Sequence, residues 1–277
     1  MTGAAKLRPI IIAVAPNGAR RTKADHPNLP ITAEELARTA ASCREAGASM
    51  IHLHVRDAQG RHLLDADAYR QTIAAVRQEV AEDMVIQITS EAAGRYAAAH
   101  QMATIRAVRP EAVSLALREI VPDPAGERAA GDFFEEMWRE KVSMQFILYS
   151  RSEWQRYRDL KTRGVIPGGT SLFVLGRYSA TQQSSPEDLL PFLCDREDNE
   201  TWMTCAFGHL ENACAMATAA LGGHARVGFE NNLYCADGRL APDNAALVAQ
   251  LARGVGLVGR VPADGATARA ILAGAAQ

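Results

Sequence analysis

The 277-residue chain lacks a cysteine framework: its five cysteines, Cys43, Cys194, Cys205, Cys214 and Cys235, form no CxxC pair and no regular spacing. An odd, scattered set excludes a disulfide scaffold and fits a reducing cytoplasm, with most of the thiols as small core groups. Charge of one sign is missing too. The formal net charge is −2 and the basic residues are dispersed, with Arg20-Arg21 the one early doublet. That gives no footing for a nucleic-acid partner. The apolar run near the start, Pro9 to Ala15, is too short to span a bilayer and carries no cleavage-site pattern, so it reads as a first strand, not a membrane or export segment. No glycine-rich GxGxxG follows it, which weighs against a dinucleotide-binding sheet. Low-complexity stretches, linkers and charge runs that would divide the chain are also missing.

What is present is a core-sized apolar content, 48%, arranged in an alternation repeated eight times. Strand-like runs fall at Ile10–Ala15, Met50–Val55, Met84–Thr89, Ala112–Leu117, Ser143–Tyr149, Ser171–Leu175, Thr201–Ala206 and Ala225–Phe229. Helical patterns lie between them. The first opens at Thr32 with Glu35 three residues on, a capping box, and stops at Gly47. The second runs from about Asp65 to Val80, and later ones fit 96–108, 130–141, 152–163, 185–193, 208–221 and 244–256. Apolar strands alternating with amphipathic helices imply parallel strands covered on both faces. Eight units in roughly 250 residues match a single-domain α/β chain, the (β/α)8 TIM barrel, over residues 1–277. A doubly wound sheet is the rival architecture. A final Ala-rich helix at about 264–275 packs on the barrel or on a neighbouring subunit.

Barrel enzymes work at the C-terminal ends of their strands, which selects a short set of side chains. The second strand carries His52 and His54, one residue apart and therefore on one face; Arg56 and Asp57 follow. The eighth ends in Glu230, Asn231 and Asn232, with Arg226 inside it; the first ends in Asn17, Gly18 and Arg20; the third ends in Thr89, Ser90 and Glu91; the seventh ends in Gly208 and His209. First, second and eighth strands become neighbours on closure, so His52, His54 and Glu230 can converge as a His₂Glu set with open positions, the donor pattern of a catalytic zinc. On spacing alone the two histidines serve equally well as imidazoles bonded to backbone or water, Glu230 as an acid at a helix N-terminus, and Arg226 as half of a structural ion pair. His26, His62 and His100 lie in loop or helix segments where solvent exposure is the default.

Together these residues resemble the β-keto acid cleavage enzymes. The resemblance spans nearly the whole chain. It rests on Ala15-Pro16-Asn17-Gly18-Ala19, Leu29-Pro30-Ile31-Thr32, Ala46-Gly47-Ala48 leading into Ile51-His52-Leu53-His54-Val55-Arg56-Asp57, and Gly222 through Leu233 with Tyr234. It implies a (β/α)8 barrel, zinc (or another divalent ion) held by His52, His54 and Glu230, and usually a tetramer. It also implies exchange of acyl groups between a β-keto acid and acetyl-CoA to give acetoacetate and a new acyl-CoA. On that footing Arg226 orders Glu230 or a substrate charge, Arg56 and Asp57 orient the ligands of the same strand, and Thr89 and Ser90 meet the substrate carboxylate.

The chain also departs from the family's pattern. Asn231 stands where family members usually carry Asp, and an amide cannot take a proton as a general base does. Glu91-Ala92-Ala93 replaces a Gly-Gly turn, Leu117-Arg118-Glu119 replaces a polar Asn/Thr-Gly pattern, and Met144 or Gln145 stands at an acidic position. Arg20 falls where the aminohexanoate-cleaving member carries an acid facing the substrate amine, so a substrate with a second anionic group is expected. Two other functions remain open: a metal-dependent aldolase-type lyase or hydrolase without CoA, and a metal-retaining binding protein without catalysis.

Overall fold

The computed structural model describes residues 8–179, 181–194, 196 and 200–274. Among these residues ten strands form: β1 Ile12–Val14, β2 Met50–Leu53, β3 Val55–Arg56, β4 His62–Leu63, β5 Val85–Thr89, β6 Ala112–Ala116, β7 Ser143–Leu148, β8 Thr170–Leu175, β9 Trp202–Ala206 and β10 His224–Val227. Eight of them close into a parallel barrel in the order β1-β10-β9-β8-β7-β6-β5-β2. The helices between them are α1 Ala33–Glu45, α2 Ala66–Val80, α3 Ala98–Val108, the short α4 Leu117–Ile120, α5 Glu127–Arg139, α6 Arg151–Thr162, the short α7 Leu190–Leu193, α8 Glu211–Ala220 and α9 Asn244–Val255, with α10 Gly265–Gly274 following. This is the expected (β/α)8 barrel. Residues 1–7 and 275–277, at the edges of the expected domain and last helix, lie outside the described residues. No described helix is long and apolar enough to cross a membrane.

Local chemistry explains the elements. Thr32 accepts from the Glu35 amide while the Glu35 carboxylate accepts from the Thr32 amide, so α1 starts where the capping box dictates. Asp65 caps α2 by accepting from the Ala68 amide. Inside the barrel Ile11, Ala13, Met50, Val85, Leu172, Met203 and Cys205 fill the interior, so the barrel is a packed core beneath the mouth. Two larger apolar layers lie between strands and helices, one built around Phe133, Phe134, Phe146 and Trp154, the other around Leu36, Val76, Leu247 and Leu251.

Three departures from the sequence expectation matter. The strand expected over Met50–Val55 stops at Leu53, and Val55–Arg56 instead pairs antiparallel with His62–Leu63 as a small hairpin over the mouth. The strand expected over Ala225–Phe229 ends at Val227, so Glu230 rides on a turn past it. The run 185–193 splits into a 3₁₀ turn, Pro186–Leu189, and α7.

The β1–β10 seam, which sets Glu230 against the histidines, is tied below by the Ile11 amide donating to His224 Nδ1 at 2.9 Å. Burial pushes the His224 pKa down to about 3, and its role as an acceptor requires the same neutral form. The unfolded chain takes up this proton below pH ~6.5 and the native chain does not until pH ~3, so stability is lost as pH falls through that window. His224→Asn keeps an acceptor for Ile11 and removes the titration. Its unfolding free energy from urea titrations is expected to fall less steeply between pH 6 and 4 than that of the parent, by up to about 1.4 kcal/mol per pH unit.

Candidate active site

At the C-terminal mouth, parallel register sets His52 beside Gln87. His54 follows one residue past the end of β2, and both imidazoles face the barrel axis with their Nε2 atoms 3.1 Å apart. Glu230 arrives from the turn after β10, its Oε2 3.4 Å from His54 Nε2 and 3.7 Å from His52 Nε2. The three donor atoms lie within 4.8 Å of one another. The sequence-derived triad is therefore brought together.

The donors are prepared for a cation. His52 Nδ1 donates to Gln87 Oε1 at 2.8 Å, which leaves Nε2 with a free lone pair. Burial, with Arg226 nearby, pushes the His52 pKa down to about 3, so the ring is neutral. Gln87 is held in turn, since its amide nitrogen donates to Gln145 Oε1 at 3.3 Å. Arg226, buried in β10, donates through Nη2 to Glu230 Oε1 at 3.0 Å and to the Cys205 sulfur at 3.2 Å. Burial alone would raise the Glu230 pKa; Arg226 and the imidazoles outweigh it and hold the carboxylate well below its usual range. The second oxygen, Oε2, is buried and makes no hydrogen bond among the described residues. A buried anionic oxygen that faces two imidazole nitrogens without a hydrogen bond is unsatisfied as it stands, and a divalent ion is what such a donor set fits.

The turn after β1 is shaped around this triad. Asn17 donates to the His54 carbonyl at 3.0 Å. Arg56 donates to the carbonyls of Asn17, Gly18, Arg21 and Gly60, and so holds the turn in place from the hairpin. Gly18 has φ +62°, and a Cβ there would stand 2.6 Å from Glu230 Cγ. Gly18→Ala is expected to displace the carboxylate and weaken divalent-ion binding about tenfold or more, a loss of the size seen when a ligand is disoriented. Strain at the left-handed residue adds roughly 1–2 kcal/mol of instability. Zinc competition titration and a thermal melt measure both, and unchanged affinity would sever the link between Gly18 and Glu230.

Around the triad lies a pocket of ≈ 130 Å³, whose walls include Asn17, Arg20, Thr89, Glu91, Tyr149, Arg177 and Arg226. Four guanidinium groups, Arg20, Arg21, Arg177 and Arg226, line it against two carboxylates, Glu91 and Glu230. Glu91 Oε2 stands 3.8 Å from His54 Nδ1, and its Oε1 3.9 Å from Arg20. Thr89 Oγ1 accepts from the Glu91 amide at 3.0 Å and sets the turn that presents it.

Other expected site residues sit elsewhere. Ser90 is buried and donates to the Ser114 carbonyl, away from the pocket. Asp57 is engaged with Arg61 and the Gln59 amide in the hairpin turn. Asn231 does not line the inner pocket but an adjoining outer cleft. Arg118 pairs with Glu153 and covers the Tyr149 ring from outside. Of the two residues expected at the acidic position, Met144 faces the outer apolar layer and Gln145 the interior. His100 is exposed as expected, but His26 and His62 are buried. His26 bonds the Ala241 carbonyl, and His62 bonds the Glu91 carbonyl and packs 5.2 Å from the His54 ring. His26 sits on irregular backbone and His62 on the two-residue strand β4, and neither stretch is long enough in sequence to show a burial period. Gln87 was overlooked, although a lone amide inside Val85-Ile86-Gln87-Ile88 signals an interior polar partner.

Residues 9–273 match the profile of the beta-keto acid cleavage enzyme family. The chain is 30% identical over 274 residues to a 3-keto-5-aminohexanoate cleavage enzyme of Fusobacterium nucleatum subsp. nucleatum, covering 96% of this chain and 98% of that protein. It is 29% identical over 279 residues to a 3-oxoadipate:acetyl-CoA acetyltransferase of Cupriavidus necator, covering 96% and 95%. Among solved structures, the apo structure of ObcA superposes with a TM-score of 0.70 at 17% identity, over 89% of this chain and 66% of that one, a likeness of fold.

Proposed function

Because the chain belongs to the β-keto acid cleavage enzyme family, we propose that it is a zinc-dependent enzyme exchanging acyl groups between a β-keto acid and acetyl-CoA. The products are acetoacetate and a new acyl-CoA. The observation that carries the metal is the unpartnered Glu230 Oε2 facing two imidazole nitrogens. His52, His54 and Glu230 would hold the ion, which when bound supplies Lewis-acid polarisation of a keto oxygen. Acetyl-CoA as second substrate is supported by the name of the Cupriavidus relative.

The chain's own groups do the rest. Arg226 engages one Glu230 oxygen and leaves the other for the cation. Gln87 fixes the His52 tautomer. Glu230 is tied to Arg226, so among the described residues Glu91 is the pocket carboxylate without a partner closer than 3.8 Å. Glu91 takes over the proton transfer that an amide at Asn231 cannot perform. It removes a proton from the carbon between ketone and carboxylate. That carbon attacks the acetyl thioester and expels the CoA thiolate. The thiolate then attacks the original keto carbon, the bond between that carbon and its neighbour breaks, Glu91 returns its proton to the acetoacetate carbon so released, and acetoacetate and the new acyl-CoA leave. Thr89 and Asn17 face the substrate carboxylate.

The substrate carries a second anionic group. Four guanidinium groups against two carboxylates make the pocket cationic even before an ion enters, and Arg20 at its rim is suited to a bidentate carboxylate. The 3-oxoadipate named for the Cupriavidus relative is such a dianion. The enzyme works in a reducing cytoplasm, in keeping with its free thiols. It works as a homotetramer, in keeping with the exposed Leu221, Leu257 and Val261 past the ends of α8 and α9.

The test is elemental analysis before and after chelation, followed by an acetoacetate assay with acetyl-CoA and β-keto acids bearing cationic, neutral and anionic tails. Turnover that requires both zinc and acetyl-CoA, fastest with the anionic tail, is expected. Turnover without acetyl-CoA would make the protein a lyase or hydrolase, zinc with no turnover would make it a binding protein, and preference for a cationic tail would overturn the substrate class.

A further inference from the structure

We propose that the cleft beside the metal pocket, between the turn after β1 and the turns after β9 and β10, is the seat of the pantetheine arm of the CoA thioester. The proposal rests on the acetyl-CoA-dependent reading above. The inner pocket, ≈ 130 Å³, is below the ~300–1,000 Å³ of sites for drug-sized ligands. It holds the reacting ends of two substrates and no more, so a CoA thioester must leave it through a wall.

The cleft offers ≈ 520 Å³ and shares Arg20, Arg21, Gln182 and Phe207 with the inner pocket, so the two are continuous. Its polar groups suit an arm built of secondary amides. Asn231 lines it with both side-chain amide atoms buried and unpartnered among the described residues, one donor and one acceptor, the complement of a peptide-like group. Arg21 offers a buried Nη1 with no hydrogen-bond partner, while its Nη2 donates to the Asn231 carbonyl at 3.3 Å. His209 stands exposed at the rim of the cleft, where the phosphates of CoA would emerge. The amide at position 231, out of place as a base, is in place as a partner for this arm.

A second opening competes. A groove of ≈ 290 Å³ also adjoins the inner pocket, through Tyr149, Val174 and Arg177. Its Arg151 and Arg177 stand against Asp188, the same charge balance as Arg20 and Arg21 against Asp25 in the cleft. The groove presents no buried polar side-chain atom without a partner among the described residues, whereas the cleft presents those of Arg21 and Asn231, so the cleft is the better match for an arm of amides.

The test is calorimetric titration of CoA into the metal-loaded parent and into His209→Glu, Asn231→Leu and Tyr178→Ala, with zinc content measured on each. His209→Glu changes an exposed side chain and does not threaten folding. We expect His209→Glu and Asn231→Leu each to weaken CoA binding about tenfold or more, the scale of one lost charge-assisted contact, with zinc content unchanged and Tyr178→Ala binding like the parent. Parental affinity in His209→Glu and Asn231→Leu, or a loss confined to Tyr178→Ala, overturns the assignment of the cleft. A parent that binds no CoA overturns the acetyl-CoA reading itself, and the cleft assignment with it.

Discussion

Glu230→Gln is expected to strip the protein of its divalent ion and, with it, of turnover. The carboxylate contributes the oxygen nearest both imidazoles, 3.4 and 3.7 Å from their Nε2 atoms. An amide oxygen in its place is neutral, and its NH₂ group would turn a donor toward either Arg226 or the cation. Loss of an outer-shell partner typically costs about 10–100-fold in metal affinity, so loss of a charged ligand from a three-ligand set should exceed about 100-fold. Arg226 gains nothing from the change. It loses the charge it faces across 3.0 Å, and an uncompensated buried guanidinium costs about 3–5 kcal/mol. Chelator competition for zinc, a thermal melt and the acetoacetate assay should therefore all respond. A variant that kept parental zinc affinity would remove the His₂Glu centre and every step assigned around it.

The convergence of His52, His54 and Glu230 is legible in the sequence because three separate regularities point to it. Alternation put His52 and His54 on one face, the eightfold repeat made the second and eighth strands neighbours once the barrel closed, and the rule for barrel mouths selected the residues just past each strand. What the repeat could not give was the path of the chain beyond the strand ends. β10 stops at Val227 and the turn through Gly228 and Phe229 carries Glu230 back over β1, where the Glu230 amide bonds the Ala15 carbonyl. Gly228 at φ +138° is the residue that permits this, since a Cβ there would stand 2.4 Å from the Ala15 oxygen. The same limit explains the misplacements. Arg56 and Asp57 follow the histidines in sequence, but the chain leaves β2 into a hairpin, so Arg56 turns to the loop carbonyls and Asp57 to Arg61. Neighbouring positions such as Thr89 and Ser90 differ by which one turns inward, and a shift of one residue exchanges their faces. Burial of His26 and His62 depends on loops from distant parts of the chain covering them, and no local pattern records that.

Glu91→Gln is expected to lower kcat by about 10²–10⁴, the usual contribution of a general base, while zinc content stays at the parental level. The reasoning starts from what the pocket has lost. With Asn231 outside the inner pocket and unable to accept a proton, the carbon acid of a β-keto substrate needs another base. Glu230 is committed to Arg226 and to the cation site. Glu91 projects from the turn after β5, fixed by its amide bond to Thr89 Oγ1 and by the His62 ring on its carbonyl. Both contacts are to the backbone, so an amide side chain leaves them intact and the variant should fold like the parent. Because the carboxylate is no ligand of the ion, metal affinity and KM for the β-keto acid should change far less than kcat, and this split separates a base from a residue that merely shapes the site. Glu91→Asp supplies the control: it keeps the proton acceptor but draws it back by one methylene, so part of the rate should return. If Glu91→Gln turns over at the parental rate, proton removal belongs to another group. If its kcat falls only together with zinc content, Glu91 supports the His54 side of the centre and takes no proton.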